Sequence, residues 1–350
     1  MIGEKMTGYE RIMKTLEGET VVPVPMMLHS FMAAADEKGY TQGEYRRDPE
    51  KICRAHVDFA RKYGLDGVLI DIDTCMEAGA IGVDVDLPED EPARVTHGLS
   101  GGLDACLEAM DPDCLKRDER IKIKLDGIYR ISKEVKGDLL IRGNADQGPF
   151  SLAMLAVGIS DFMMSLMDET TIDKTKLLID RAMEVHLAFH RMIIEAGADI
   201  TSFGDSSCGP DLIGPSMYRE FALPWHKKMA ATLKAESITS ICHICGNLDM
   251  IMEDIASVGF PAIEVDYKTD IPRAAEILKD KAVMFGPIDP SGTFYFGKPE
   301  RMRKETLEVL DIFGGQRLVI GAGCALPTGV PQENIEAFVE TVRTYSPAVL

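Results

Sequence analysis

Residues 238–267, which read ITSICHICGNLDMIMEDIASVGFPAIEVDY, show the pattern from which the fold is inferred. Two runs rich in apolar residues, Ile238–Cys245 and Ala262–Tyr267, flank an amphipathic stretch at Leu248–Ser257. Because the runs are apolar without strict alternation, they are typical of parallel strands that are covered on both faces. The segment therefore predicts a strand, a helix and a second strand.

The same succession extends along almost the whole chain of 350 residues. The predicted strands are Val22–Met27, Gly67–Asp73, Leu139–Asn144, Asp199–Asp205, Ile238–Cys245, Ala262–Tyr267, Ala282–Asp289 and Arg317–Cys324. Eight such units predict an α/β protein with one TIM (β/α)8 barrel domain over residues 1–350. A doubly wound sheet is the competing interpretation, but no G-x-G-x-x-G follows the first predicted strand.

Two segments outside the repeating pattern have separate roles in this interpretation. Thr7 and Glu10 form a capping-box pattern at the start of an N-terminal helical extension, which we expect to close the bottom of the barrel. Residues Gly79–Gly102 are rich in Asp, Pro and Gly and predict a long excursion after the second strand. Excursions at the C-terminal face of a barrel often cover the active site.

The charge balance excludes several classes of partner. The chain has 57 acidic and 38 basic residues, for a net charge of −19, so nucleic acids and anionic membranes are disfavoured. No signal peptide is recognisable, and no apolar run approaches the ~18 residues of a membrane span. We therefore expect a cytoplasmic protein, in which the eight cysteines are not a disulfide framework.

Polar side chains end every predicted strand after the first. They are Asp71 and Asp73, Asn144 and Asp146, Asp205, His243 and Cys245, Asp266, Asp289, and Cys324. In a TIM barrel the C-terminal ends of the strands form the open mouth, so these groups are expected to meet there. Asp and Asn also cap the helices that follow strands, which gives any single member an ordinary structural explanation. The repetition around the ring predicts an active site.

Individual roles follow from these positions. The candidate catalytic residues are Asp205, as a general base or substrate anchor, and Glu77, which either binds substrate or faces solvent. The candidate substrate-binding residues are Asp73, Asn144, Asp266 and Asp289. For Asp266 two other interpretations remain open, a fourth metal contact and a cap for the helix near Asp270.

The sharpest local signal is Ile-Cys-His-Ile-Cys-Gly-Asn at residues 241–247. In a strand, residues i and i+2 face the same side, so His243 and Cys245 can both point into the barrel while Cys242 faces the helices. Imidazole and thiolate are a pair suited to zinc rather than to magnesium or calcium. An H-x-C motif alone is weak evidence for a metal.

Cys324 strengthens the metal hypothesis. It ends the eighth predicted strand within Gly-Ala-Gly-Cys-Ala-Leu-Pro, where flanking glycines allow a backbone to approach a metal closely. Together with His243 and Cys245 it would supply three ligands and leave one position open, the arrangement of a catalytic zinc. Such a zinc could bind a substrate sulfur as its thiolate. The alternative is that Cys324 is a small residue in a tight turn.

Several motifs resemble the uroporphyrinogen decarboxylase superfamily, and within it the corrinoid-dependent methyltransferase branch that includes the methylcobamide:coenzyme M methyltransferases. They are Gly-Pro-Phe at 148–150, Asp-Ser-Ser at 205–207, the Pro-x-x-Tyr-x-Glu-Phe-x-x-Pro-Trp stretch at 215–225, His243 to Asn247, Gly-Pro-Ile-Asp-Pro at 286–290, and the cysteine segment from Gly323 to Pro331. The 286–290 segment departs from the family pattern at Pro287. The likeness runs from about Tyr9 to the end of the chain.

The resemblance implies a zinc held by His243, Cys245 and Cys324, and methyl transfer between a small thiol or methylated substrate and a cobalamin. The sequence contains no cobalamin-binding D-x-H-x-x-G motif, so the corrinoid is expected on a partner protein. Uroporphyrinogen decarboxylase itself is one alternative, but residues 15–37 contain no Arg or Lys to bind its polycarboxylate substrate. A non-enzymatic barrel that binds a corrinoid or tetrapyrrole is the other alternative.

Overall fold

A parallel sheet that curls into a barrel forms the centre of the molecule. The computed structural model describes residues 6–347, so residues 1–5 and 348–350 of the expected domain lie outside the described residues. Within the described range the main sheet has seven strands, and all of its neighbouring pairs are parallel. This is the α/β TIM-barrel type of fold predicted from the sequence.

The strands and helices alternate along the chain. The strands of the main sheet are β1 (Gly67–Ile70), β4 (Leu140–Gln147), β5 (Ile200–Gly204), β6 (Ser240–Ile244), β7 (Ala262–Val265), β8 (Val283–Ile288) and β9 (Leu318–Ala322), and they are neighbours in this order. A separate antiparallel hairpin consists of β2 (Asp84–Asp86) and β3 (Arg94–His97).

The helices, in chain order, are α1 (Gly8–Leu16), α2 (Phe31–Glu37), α3 (Gln42–Arg47), α4 (Pro49–Tyr63), α5 (Met76–Ala80), α6 (Gly102–Ala109), α7 (Cys114–Arg117), α8 (Glu119–Val135), α9 (Pro149–Val157), α10 (Ile159–Met167), α11 (Ile172–Glu195), α12 (Pro215–Phe221), α13 (Leu223–Ala235), α14 (Met252–Ala256), α15 (Ile271–Leu278), α16 (Pro299–Phe313) and α17 (Gln332–Thr344). Short turns of 3-10 helix at Ser206–Cys208 and of π-helix at Pro290–Tyr295 follow β5 and β8.

The predicted first strand, Val22–Met27, is wrong as a regular strand. Met26 makes only an isolated parallel bridge with Ile320 of β9, and its carbonyl accepts a hydrogen bond from the Asp66 N–H at 3.0 Å, just before β1. Two prolines in the segment have no N–H to donate, so a continuous ladder cannot form. The segment still lies between β9 and β1, and it closes the sheet at the eighth position of the barrel.

Helix α1 covers one end of the barrel, as expected. Thr7 and Glu10 form the capping box, with N–H to oxygen distances of 2.8 and 3.2 Å in the two directions. The apolar face of α1 packs on a cluster of buried strand residues: Met27, Leu69, Leu140, Ile200, Ile241, Ala262, Val283, Phe285 and Val319. Most of these lie at the first or second position of their strands, so α1 covers the end opposite the C-terminal mouth.

The excursion predicted at Gly79–Gly102 contains the β2–β3 hairpin. Pro92, between its two strands, lines the cavity at the mouth of the barrel, so this segment does reach the candidate site. Among residues 6–347, no single helix has both the length and the apolarity needed to cross a membrane. Helices α9 and α10 meet those criteria only when taken together, and they are bent by 110° with respect to each other.

Candidate metal centre and active site

The three predicted metal ligands converge at the C-terminal mouth of the barrel. His243 lies in β6, and Cys245 directly follows that strand; the His243 Nε2 and Cys245 Sγ atoms are 3.0 Å apart. Cys324 follows β9, and its Sγ lies 3.9 Å from the Sγ of Cys245. One ligand atom from each residue fits within 4.8 Å of the others. The i, i+2 alternation of a strand thus predicted correctly that the side chains of His243 and Cys245 lie together.

Hydrogen bonding orients His243 for a metal on its Nε2 side. Its Nδ1 lies 3.1 Å from the backbone carbonyl of Glu264, which can only accept, so Nδ1 carries the proton and Nε2 faces the two sulfurs. Metal-binding histidines characteristically donate their second N–H in this way. Two sulfurs and one imidazole are a soft donor set that suits zinc.

The electrostatics of the cluster favour thiolate. The pKa of Cys245 is lowered to about 3 by the hydrogen bond from the Cys324 thiol and by the charge of His243. The same contact raises the pKa of Cys324, since only one of the two sulfurs can be an anion while they share a proton. Burial favours the neutral form of His243, but Cys245 and Glu264 together raise its pKa to about 10. A divalent cation would take the place of these protons.

Glycines allow the turn that carries Cys324 to approach the rest of the cluster. A Cβ atom at Gly323 would lie 2.8 Å from the carbonyl oxygen of Val265 and 3.0 Å from the backbone nitrogen of Tyr267. A Cβ at Gly286 would lie 2.8 Å from the same Val265 oxygen. Side chains at either position would push the ends of β7, β8 and β9 apart.

A buried ion pair beneath the cluster was not found from the sequence. Arg142 of β4 and Glu264 of β7 pair across the barrel at 2.5 Å, and both side chains are almost fully buried. The guanidinium of Arg142 also lies over the ring of Phe285, 5.4 Å from its centroid. A charged residue inside an otherwise apolar strand is the signal that could have revealed each of them, because buried charges need a partner.

Asp71 is the centre of a second buried network. Its carboxylate accepts from Asn144 at 2.9 Å, lies 3.1 Å from His29 and pairs with Lys124 at 3.3 Å. Burial opposes ionisation, but Lys124 and His29 lower the pKa of Asp71 to about 2. The Tyr45 hydroxyl donates to the Asp71 carbonyl at 2.6 Å. Asn144 is thus held in place at the cavity wall by a fixed carboxylate.

Asp73, a candidate substrate-binding residue, also has a cationic partner. The Arg120 guanidinium donates to it at 2.9 and 3.2 Å. Burial raises the pKa of Asp73 despite this contact. Both Asp73 and Asn144 line the cavity.

Glu77 is fully buried, so the interpretation in which it faces solvent is wrong. Its carboxylate lies 3.1 Å from His186 Nδ1 and accepts from the Gln147 N–H at 3.2 Å. His186 in turn contacts His190, with 3.1 Å between their Nε2 atoms. Burial raises the pKa of Glu77. It supports the cavity wall from behind and does not belong to the lining.

Asp205 does not lie on the cavity wall either. Its carboxylate accepts from the Ser151 N–H at 2.7 Å and the Phe150 N–H at 3.3 Å, and it contacts His226 Nε2 at 2.9 Å. These contacts hold the start of α9 against β5. Asp205, Cys208 and His226 also lie close enough together for a metal, but the hydrogen bonds of the carboxylate already use both of its oxygens.

Asp266 and Asp289 fix loops at the mouth. Asp266 accepts from the Gly246 N–H at 2.9 Å and the Lys268 N–H at 3.2 Å, and it does not belong to the three-residue cluster. Asp289 accepts from the N–H groups of Ser291 and Gly292, both at 2.9 Å, and caps the π-helical turn. Neither lines the cavity. Asp289 therefore has the capping role that is common for Asp after a strand. The cap predicted for Asp266 is wrong, because the helix near Asp270 is capped by the side chain of Asp270 itself, which accepts from the Arg273 N–H.

The cluster of His243, Cys245 and Cys324 opens onto a cavity of about 170 Å³ inside the barrel mouth. Its lining residues are His29, Phe31, Met32, Leu69, Asp71, Ile72, Asp73, Thr74, Pro92, Arg142, Asn144, Asp146, Gln147, Phe203, Gly204, Ser206, His243, Cys245, Glu264, Cys324 and Ala325. The wall combines apolar side chains with many convergent polar groups, so it could both enclose and orient a small molecule.

Comparison with known proteins identifies the family. Residues 7–345 match the family described as Uroporphyrinogen decarboxylase (URO-D). The chain belongs to this family. The motif resemblance is therefore confirmed over nearly the whole length of this URO-D family member.

Relatives of this URO-D family member have two different activities. Methylcobamide:CoM methyltransferase MtaA of Methanosarcina barkeri is 26% identical over 341 residues, which cover 96% of this chain and 97% of that protein. The uroporphyrinogen decarboxylase of Chlorobaculum tepidum is 26% identical over 310 residues and 86% of this chain. A solved methyltransferase from Methanosarcina mazei superposes with a TM-score of 0.87 at 25% identity, covering 97% of this chain and 98% of that one. Because relatives with either activity are equally identical to this chain, only the residues of the site can indicate which activity it has.

Proposed function

We propose that the chain is a zinc-dependent methyltransferase that moves a methyl group between a cobalamin, carried by a partner corrinoid protein, and a small thiol or methylated substrate. The convergence of His243 Nε2, Cys245 Sγ and Cys324 Sγ within 4.8 Å at a cavity carries the proposal. Methylcobamide:CoM methyltransferases among the relatives support it. Uroporphyrinogen decarboxylation has no evident use for such a cluster.

The residues around the cluster would orient and shield the reacting groups. Zinc, when bound by His243, Cys245 and Cys324, would hold a substrate sulfur as its thiolate at neutral pH. The Glu264 carbonyl fixes the ring of His243, and Arg142 fixes Glu264 in turn. The apolar part of the cavity wall excludes water, which strengthens the electrostatic interactions within the site.

The other predicted site residues divide into three groups. We propose that Asp73 and Asn144 contact the substrate, because both line the cavity. Glu77 and Asp205 are proposed as positioning residues, since Glu77 accepts from the N–H at the end of β4 and Asp205 accepts from N–H groups at the start of α9. Asp266 and Asp289 would keep the loops after β7 and β8 in place.

Methyl transfer requires only one bond exchange. In one direction the substrate thiolate attacks the methyl carbon of methylcobalamin, a carbon–sulfur bond forms, and the cobalt–carbon bond breaks with its electron pair left on cobalt. In the other direction cob(I)alamin takes the methyl group and the heteroatom leaves with the electron pair. A cavity of about 170 Å³ is far too small for a corrin ring and its side chains. The corrinoid would therefore approach the mouth from outside, on its carrier protein.

We further propose that residues 1–350 form one domain and that the protein works in the cytoplasm. The family match over residues 7–345 supports the first point. All eight cysteines lie within the described residues, and all are free thiols. Free thiols persist in a reducing compartment, and the proposed zinc site depends on two of them.

The direct test is methyl transfer from methylcobalamin to a small thiol, followed by the visible absorption of the corrinoid. We expect loss of methylcobalamin with formation of the methylated thiol, abolished by a chelator and restored by zinc. Free methylcobalamin is expected to react slowly, and a corrinoid protein to react faster. Turnover with S-adenosylmethionine and without any corrinoid would contradict the proposal.

A further inference from the structure

The acidic residues of the cavity lining differ in how their charge is compensated. Asp71 has Lys124, Asp73 has Arg120, and Glu264 has Arg142 as a cationic partner. Among residues 6–347 no ion pair includes Asp146, the remaining carboxylate of the cavity lining. Its side chain is 1% exposed, so it is withdrawn from bulk water without a counter-ion.

Only one of the two Asp146 oxygens is used by the protein. Oδ2 accepts from the Glu77 N–H at 3.0 Å, whereas Oδ1 is buried and has no hydrogen-bond partner within the described part of the chain. A buried polar atom without a partner is destabilising and rare in folded proteins, so it needs an explanation such as a ligand that completes the site. Because Asp146 lines the cavity, a bound molecule can provide that partner.

The backbone also holds Asp146 in an unusual conformation. Its φ is +64°, in the left-handed region, and the register between β4 and β5 shifts between Asn144 and Gln147. Asp tolerates this conformation better than most residues, but it is uncommon and concentrates at functional sites. Gly204 lies between this turn and His243: a Cβ on Gly204 would lie 3.9 Å from both the Asp146 carbonyl oxygen and His243 Cδ2.

We propose that Asp146 is a specificity-determining residue, a neutral carboxylic acid whose Oδ1 hydroxyl donates a hydrogen bond to an uncharged acceptor atom of the substrate. The inference rests on the proposed function, since it concerns the substrate of the same site. The proton belongs on Oδ1 because Oδ2 already accepts from the Glu77 N–H. The substrate class is then an uncharged small molecule with an alcohol or ether oxygen near its reacting end.

The surrounding charges explain both the protonation and the preference for an uncharged substrate. Burial raises the pKa of Asp146 well above its ordinary value, and the carboxylates of Glu77 and Asp73 add to this effect. Lys124 acts in the opposite direction, but it is paired with Asp71. Arg46 interacts with Asp73 from outside the cavity lining. An anionic group bonded to Asp146 would stand beside the carboxylates of Glu77 and Asp73.

The test measures thiol binding to the protein loaded with Co²⁺, whose visible spectrum changes when a thiolate binds. Matched probes are 2-mercaptoethanol with 1-propanethiol, 3-mercapto-1-propanol with 1-butanethiol, and 2-mercaptoethanesulfonate as the anion. We expect the hydroxyl-bearing member of at least one pair to bind about five-fold more tightly, the size of one hydrogen bond. The sulfonate should bind more weakly than 2-mercaptoethanol.

Variants distinguish the contribution of Asp146 to this binding preference from that of other cavity residues. Asp146→Ala should reduce the preference to about one, whereas Asp146→Asn should retain it because the amide also donates. Thr74→Val removes another polar group of the lining and should leave the preference unchanged. Equal binding within both pairs, an unchanged preference in Asp146→Ala, or tightest binding of the sulfonate would overturn the inference. If Co²⁺ binds but no thiol changes its spectrum, both this inference and the proposed function are contradicted.

Discussion

At the residue scale, Cys242 and Cys245 are close in sequence but have different surroundings. Cys245 faces the cavity with His243 and Cys324, whereas Cys242 is buried on the other side of β6. We therefore expect the wild-type protein to bind about one zinc per chain, and Cys245→Ser or Cys324→Ser to lose it. Cys242→Ser should keep the metal, although a buried hydroxyl costs stability. Metal analysis of the purified variants checks this, and equal zinc loss in Cys242→Ser would contradict the assignment of faces.

Asp146 gives a prediction about stability and pH. Its pKa is raised on folding by burial and by Glu77 and Asp73, with Lys124 opposing. A raised carboxyl pKa contributes stability that is present below the unfolded value of ~3.9 and is lost as pH rises through the folded value. Asp146→Asn should therefore become more stable relative to wild type as pH increases. Urea denaturation at about pH 5 and about pH 8 measures the difference; a constant difference between the two pH values would be evidence against a protonated Asp146.

Some residue roles could be predicted from the sequence and others could not. The strand period of two is local, so it identified His243 and Cys245 as neighbours and excluded Cys242. The Arg142–Glu264 pair joins β4 to β7 across the barrel, and no spacing in the sequence reveals such a contact. For Asp205, the strand pattern suggested a role but not the contacts that the side chain makes. Its position at a strand end predicted a catalytic role, but its hydrogen bonds to the start of α9 are set by tertiary packing.

At the element scale, the turn after β9 decides where Cys324 lies. A Cβ on Gly323 would lie 2.8 Å from a backbone oxygen, which cannot move without shifting β7. We expect Gly323→Ala to weaken zinc binding by roughly 10-fold, as changes around metal ligands typically do. Competition with a chromophoric chelator measures this. Gly214→Ala is the matched control, since nothing lies within 4 Å of its added Cβ; equal effects of both substitutions would contradict the role of the turn.

The predicted elements also show where local patterns fail. Seven predicted strands are confirmed. Amphipathic patterns in the sequence also predict helices over Pro49–Tyr63, Pro215–Ala235 and Pro299–Phe313. The first and third have these bounds in the structure, whereas the second is divided at Ala222, because Pro224 has no N–H to continue the helical bonds of α12. The apolar periodicity predicted where these elements lie, and a proline determines where the helix is interrupted.

At the scale of the whole molecule, the charges argue against decarboxylation of uroporphyrinogen. The segment that replaces the first strand has no Arg or Lys, and Arg142 in the cavity wall is already paired with Glu264. A substrate with many carboxylates would leave several of them without a cation in a partly desolvated site, at a cost of several kcal/mol each. We expect no coproporphyrinogen after prolonged incubation with uroporphyrinogen, measured by chromatography of the oxidised porphyrins. Zinc-independent product formation would contradict this.

In the proposed function, His243, Cys245 and Cys324 bind a zinc that accepts a substrate sulfur. Zinc K-edge X-ray absorption of the purified protein, with and without a small thiol, tests this directly. We expect two sulfur neighbours per zinc in the free protein, from Cys245 and Cys324, and three after the thiol is added. A zinc site without sulfur neighbours, or a sulfur count that stays at two with saturating thiol, would contradict it.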